Sequence, residues 1–334
     1  MTTTPYQDVL AQARELVADG LETTDKMLLS IADNAPGELK ARLNKIMERK
    51  GKRIRSTLLF LLAGTSIDIK DPKNSNRLAA AAASIELLHL ASLLHDDVID
   101  EQETRRGEPT AHEQWGNKMA VLVGDYALSK ALTLVMPDDD RRVPTWVSES
   151  TAKLVSGEAL EIDLASKIIT LDQYIEVIDG KTAALVEAAG ACSSIISGMS
   201  ETDVDRCSSL GRDFGIAFQI VDDLLDYGIG AADLGKATFS DLSNGLMTVP
   251  LILFYENCSA EQKTEMESLR KDGANPETHK KIFSILDDAD IFELSSELAK
   301  VHVKKAIATI MTLPENEFRT HLLGMCMAMA NRNN

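Results

Sequence analysis

From Thr145 to Val249 the chain carries no proline, and along its length apolar residues recur at spacings of three and four, as in Leu87, Leu88, Ala91, Leu94 and Val98. Such spacing lays one apolar stripe along an α-helix, and a long stretch without proline lets helices run uninterrupted. Aromatic residues make up only 4% of the chain, and no sustained apolar/polar alternation is closed by Asn-Gly or Asp-Gly turns. Strands therefore have little to form from. The expected fold class is all-α, a single large helical bundle spanning residues 1–334.

Punctuation along the chain supports that expectation. Thr4 and Pro5 open a helix expected to stop near Asp19-Gly20, and Pro36-Gly37 opens another expected to end near Lys50-Gly51. Further breaks fall at 71–76, 106–109, 137–144, 197–198, 227–235, 249–250 and 272–276. They divide the chain into roughly ten or more helices. None is a long Gly/Ser or Pro-rich linker, which favours one bundle over two domains.

Apolar residues reach 44%, enough for a large core, and the formal charge of −17 is spread over the whole length. That balance argues against a nucleic-acid partner. Cys192, Cys207, Cys258 and Cys326 show no metal-finger spacing, and no signal-peptide pattern opens the chain, so reduced thiols in a cytoplasmic protein are expected. Glu86 and His89 interrupt one long apolar stretch, and Asp125 and Lys130 another; no stable membrane insertion is expected.

Two segments spell Asp-Asp-x-x-Asp: Asp96-Asp97-Val98-Ile99-Asp100 and Asp222-Asp223-Leu224-Leu225-Asp226. Residues four apart share a helix face, so Asp96 with Asp100, and Asp222 with Asp226, each present two carboxylates to one side. At this aspartate content one such motif arises by chance roughly 0.2 times per chain, and two about 0.02 times. Both lie in apolar helical sequence, whereas Asp138-Asp139-Asp140 and the Asp287–Asp290 segment read as solvated surface. Clustered carboxylates in a buried setting need cations, and hard oxygen donors in this arrangement suit Mg²⁺ completed by water and substrate phosphate oxygens. Lys52, Arg53 and Arg55, then Arg105 and Arg106, then Lys181 and Lys236, supply the cations that would complement phosphorylated substrates.

In order and spacing, Gly51-Lys52-Arg53-Ile54-Arg55, the first Asp-rich motif with Arg105-Arg106-Gly107, Val123-Gly124-Asp125-Tyr126, Gly157-Glu158, Lys181-Thr182, and Phe218-Gln219 leading into the second motif resemble the trans-isoprenyl (polyprenyl) diphosphate synthases, in their medium- and long-chain branch. The match runs over about residues 48 to 250. It implies an isoprenoid synthase-like bundle with a deep central pocket and a Mg²⁺-dependent prenyltransferase that adds isopentenyl diphosphate to an allylic diphosphate. It also implies three Mg²⁺ ions per site and a homodimer. Asp96, Asp100 and Asp222 would be direct metal ligands, with Asp97, Asp223 and Asp226 as ligands or orienters. Arg105, Lys181 and Lys236 would contact the allylic diphosphate. Gly51, Lys52, Arg55, His89 and Arg106 would form the isopentenyl diphosphate site, and Thr182 and Gln219 would lie near the developing cation. His95 receives no role.

The small Ala91 and Ser92, one turn before Asp96, are expected to leave the pocket wall open where a bulky aromatic would close it. A product longer than C20 follows, with a deeper floor at Ile85, Leu88 or the 126–136 segment. Some positions depart from the family pattern: Lys50, Ser56 and Glu161, and above all Leu246, where a lysine is usual. That substitution motivates the alternative reading, a non-catalytic or regulatory subunit of a heteromeric synthase. A helical terpene cyclase is disfavoured because the second motif is the complete Asp222-Asp223-x-x-Asp226 and Lys52 with Arg55 are present.

Overall fold

Several helix starts have a local chemical cause. The computed structural model describes residues 6–49, 51–105, 107–229, 239–271 and 275–330. Asp71 caps the Pro72–Ile99 helix by accepting from the backbone N–H of Lys73 and Asn74, with Pro72 at the first helical position. Thr170 and Gln173 form a reciprocal capping box for Leu171–Ile178, Ser200 caps Glu201–Asp226, and Asn275 with Pro276 opens Pro276–Asp288. Seventeen α-helices and one π-helical turn, Asp179–Ala183, result among the described residues. A two-residue ladder, Thr104–Arg105 against Glu108–Pro109, is the one β element there, closed at Gly107 with φ +78°.

Two expectations need correction. Gly20 does not stop a helix: it lies inside Ala18–Asp33, where any Cβ would run into the Phe60 ring, so its small size serves close packing. The expected Thr4-Pro5 start lies outside the described residues. The 104–109 hairpin was not expected from a chain read as helical throughout, although it adds only a ribbon to an all-α fold.

The two aspartate-bearing helices, Pro72–Ile99 and Glu201–Asp226, both pack on Ala184–Ile196, in which every residue but Glu187 is buried. Gly190 and Gly211 permit the close approach of Glu201–Asp226, since a Cβ on either would collide with backbone of the facing helix. One apolar cluster surrounds Phe60, Leu88 and Phe214, and a second surrounds Tyr227, Phe254 and Phe292; Glu201–Asp226 contributes to both. Pro72–Ile99 is long and apolar enough to cross a bilayer by length and composition, with a mean hydropathy of 1.5 over its best window, yet 67% of that window is buried inside the bundle. It is a core helix that ends in the first Asp-rich motif.

Candidate active site

A cavity of about 720 Å³ opens between the two aspartate-bearing helices. Gly51, Lys52, Arg55, His89, Asp96, Asp97, Arg105, Lys181, Thr182, Gln219 and Asp222, residues spread over 170 positions of sequence, all line it. Leu90, Leu93, Leu94 and Phe218 supply its apolar wall. Ser92 lines it too, whereas Ala91 is turned into the core at 2% exposure, so of the two small residues only Ser92 borders the cavity. Arg106 and Lys236 lie outside the described residues.

Asp96 is buried at the last turn of its helix, with Asp100 exposed at the C-cap one turn on. Burial first, then repulsion from Glu158 and Asp100, pushes the Asp96 carboxyl up to about 7 against the opposing pull of Lys181 and Arg105. Asp97 is held by Arg105, whose Nε donates to its Oδ1 at 2.8 Å, so the hairpin is tied to the first motif. His95 acquires a structural role: it fits the notch left by Gly124, with Nε2 3.3 Å from the Val121 carbonyl and 3.4 Å from the Asp125 carboxylate.

The second motif divides by environment. Asp222 faces the cavity and is exposed. Asp223 is 2% exposed and accepts from the Tyr174 hydroxyl at 2.6 Å, from Gln219 Nε2 at 3.0 Å and from the Val249 N–H at 3.3 Å. Burial raises its carboxyl to about 6, with those donors pulling it back down. Asp226 caps the Ser240–Ser243 helix, accepting from the Ser240 N–H and hydroxyl and from the Asp241 N–H. Asp223 and Asp226 thus both accept from protein donors. Tyr174, Val249 and Ser240 had no sequence signal beyond an apolar face or a turn.

Lys181 and Thr182 sit in the π-helical turn, a widened turn of the kind that collects at functional sites. The Lys181 ammonium lies 3.0 Å from Glu158 and is also paired with Glu161. Burial would lower its pKa, but the two carboxylates override it and hold it charged. The Thr182 hydroxyl donates to Gln219 Oε1 at 2.8 Å, which completes a chain from Thr182 through Gln219 to Asp223. Behind this row, Leu246 lines a smaller cavity of about 200 Å³ with Glu161, Lys181, Thr182, Asp223 and Asp241. There burial, then Asp223, Asp226 and Glu161, raises the Asp241 carboxyl to about 8.

Among the described residues no three carboxylate or imidazole groups gather into a self-sufficient cation cage. A divalent cation of the Mg²⁺ kind needs no such cage, because it binds through one or two carboxylates and fills its octahedron with water and phosphate oxygens. Buried Asp96, repelled by the exposed Asp100 one turn on, is fitted to such an ion.

Fold and cavity together define an all-α prenyl synthase. The polyprenyl synthetase family model matches residues 36–286, and the chain belongs to that family. The octaprenyl diphosphate synthase of Haemophilus influenzae is 33% identical over 86% of each chain. A short-chain isoprenyl diphosphate synthase of Methanothermobacter thermautotrophicus is 34% identical over 88% of this chain and 90% of its own. Among solved structures, the decaprenyl diphosphate synthase of Rhodobacter capsulatus superposes with a TM-score of 0.90 at 29% identity, over 97% of this chain and 99% of that one. The protein is a prenyl transferase.

Proposed function

We propose that this chain condenses isopentenyl diphosphate with an allylic diphosphate to give a trans-polyprenyl diphosphate longer than C20. The observation that carries the reading is the cavity lined by Asp96 and Asp222 from different helices together with Lys52, Arg55, Arg105 and Lys181. Mg²⁺, three ions per site, held by Asp96, Asp100 and Asp222, would neutralise the charge that develops on the departing diphosphate. Asp97, Asp223 and Asp226 orient the two motifs. Arg105 and Lys181, joined by Lys236, hold the allylic diphosphate; Lys52, Arg55 and His89, with Gly51 and Arg106, hold isopentenyl diphosphate. When the allylic carbon–oxygen bond breaks, the Thr182 and Gln219 oxygens face the cation, whose charge they stabilise without attacking it. The isopentenyl double bond then forms the new carbon–carbon bond, and a proton leaves to the released diphosphate.

Product length is not separated by overall identity, since long-chain and short-chain synthases match equally well. The small Ser92 on the cavity wall and the decaprenyl synthase superposition favour the longer product. The whole chain works as a single domain, because one helix joins both apolar clusters. A homodimer is supported by exposed Val121 and Leu122 on Asn117–Val135 and by Val155 and Ile162 on the helix packed beside it. We place it in the cytoplasm.

Purified protein given Mg²⁺, labelled isopentenyl diphosphate and allylic primers of increasing length is expected to make a ladder of products ending beyond C20 and vanishing with EDTA. No elongation from any primer would overturn the reading and favour the partner-subunit alternative that Leu246 raises. The Leu246 side chain borders Lys181 and Thr182, so Leu246→Lys puts an added ammonium beside the allylic site. A charge-assisted contact there is expected to lower the KM for the primer about tenfold, measured against an unchanged KM for isopentenyl diphosphate.

A further inference from the structure

We infer that Glu86 is a positioning residue for the isopentenyl diphosphate site, acting through the turn that carries Arg55; the inference rests on the reading of that site given above. Arg55 is half-buried, and its Nε, which is itself buried, has no hydrogen-bond partner. Burial lowers its pKa, opposed by Glu86. A half-buried guanidinium with an unused donor is built to receive an anion, provided its backbone is held still.

Glu86 does the holding. Its Oε2 accepts from Arg53 Nη1 at 2.9 Å, and its Oε1 accepts from the Ser56 hydroxyl at 2.7 Å. These partners lie on either side of Arg55 in sequence, so one carboxylate grips the turn from both flanks. The turn needs gripping, because Arg53 adopts a left-handed backbone with φ +54°, a conformation that non-glycine residues rarely take. Asp25 adds a second anchor on Arg53 at 2.9 Å.

The position of Glu86 gives that grip a functional meaning. It lies three residues before His89, hence on the same helix face, and ten before Asp96 on the same rigid helix. About 15 Å of helix thus separates the residue that fixes the cationic turn from the residue that faces the metals. A transferase must hold two diphosphates so that their reacting carbons meet, and Glu86 sets one end of that spacing against the other. A carboxylate bordering an anion site would otherwise oppose binding, and the use of both its oxygens by Arg53 and Ser56 accounts for its presence.

Electrostatics and positioning predict opposite signs. Removing a negative charge near a diphosphate should lower its KM; removing a positioning group should raise it. Steady-state kinetics of Glu86→Gln, Ser56→Ala and Arg55→Ala, each with both substrates varied, separates them. The expected result is a KM for isopentenyl diphosphate raised about tenfold in Glu86→Gln and several-fold in Ser56→Ala, with the KM for the allylic primer within twofold. Arg55→Ala, which removes the contact itself, should raise the same KM further. An unchanged or lowered KM for isopentenyl diphosphate in Glu86→Gln, or in Ser56→Ala should Glu86→Gln not fold, overturns the positioning role. An Arg55→Ala variant with normal KM overturns instead the site reading on which it rests.

Discussion

Asp96→Ala and Asp222→Ala should each lower turnover about 10³-fold or more while leaving the fold intact. The two side chains enter one cavity from different helices, where a diphosphate and its cations would sit. For Asp96 the stability effect should run in the favourable direction. Its carboxyl stands at about 7 in the folded protein against an ordinary 3.8, through burial and the nearness of Glu158 and Asp100. A carboxylate with a raised folded pKa binds its proton more tightly folded than unfolded, so the metal-free protein loses stability as pH rises from about 4 through 7. At about 1.4 kcal/mol per unit, the cost above pH 7 amounts to a few kcal/mol. Asp96→Asn should therefore melt higher than the parent at pH 8 without metal, and the gain should shrink toward pH 4. Near-normal turnover in both alanine variants would dismiss the assignment, and a melting gain that grew as pH fell would dismiss its electrostatic cause.

The parts legible in the sequence are those whose chemistry is local. The spacing draws attention to Asp96 and Asp222, which line one cavity, whereas Asp226, four residues on from Asp222, turns instead to Ser240 and Asp241. The helical class is declared by the apolar period and the missing prolines. What escaped notice depends on residues far away in the chain. Gly20 reads as a helix stop until Phe60, forty positions on, is seen to fill the space beside it. The sequence leaves Asp223 and Asp226 open between ligand and orienter, and the donors that reach them, Tyr174, Val249 and Ser240, come from distant parts of the chain. Ala91 and Ser92 differ by about 100° around one helix, and only the neighbouring helices decide which of them borders the cavity. Glu86 reads as a lone charge interrupting an apolar stretch; its partners Arg53 and Ser56 reach it from another helix.

Gly157→Ala should be nearly as damaging as loss of a ligand, though the residue has no side chain to react. The helix Arg142–Leu164 crosses the π-helical turn with backbone against backbone: a Cβ on Gly157 would lie 2.6 Å from the Lys181 nitrogen and 2.8 Å from Gly180 Cα. No flexible side chain is present to yield, so the turn carrying Lys181 and Thr182 must itself move. Glu158, the next residue, would shift with it and disturb the pair it makes with Lys181. A displacement of about 1 Å in groups that position substrate is enough to cost about 10²-fold in rate, and overpacking of this kind costs about 1–3 kcal/mol in stability. The expected result is a kcat/KM for the allylic primer down about 10²-fold, a larger loss than the modest drop in melting temperature would explain. Gly324→Ala is the control, since a Cβ there meets only Val9 Cγ1 at 3.4 Å and replaces a glycine inside a helix, so activity and stability should hold or improve. Activity of Gly157→Ala within a few-fold of the parent would mean that the π-helical turn tolerates displacement, and that Lys181 owes its position to Glu158 and Glu161 instead of to the glycine contact beneath it.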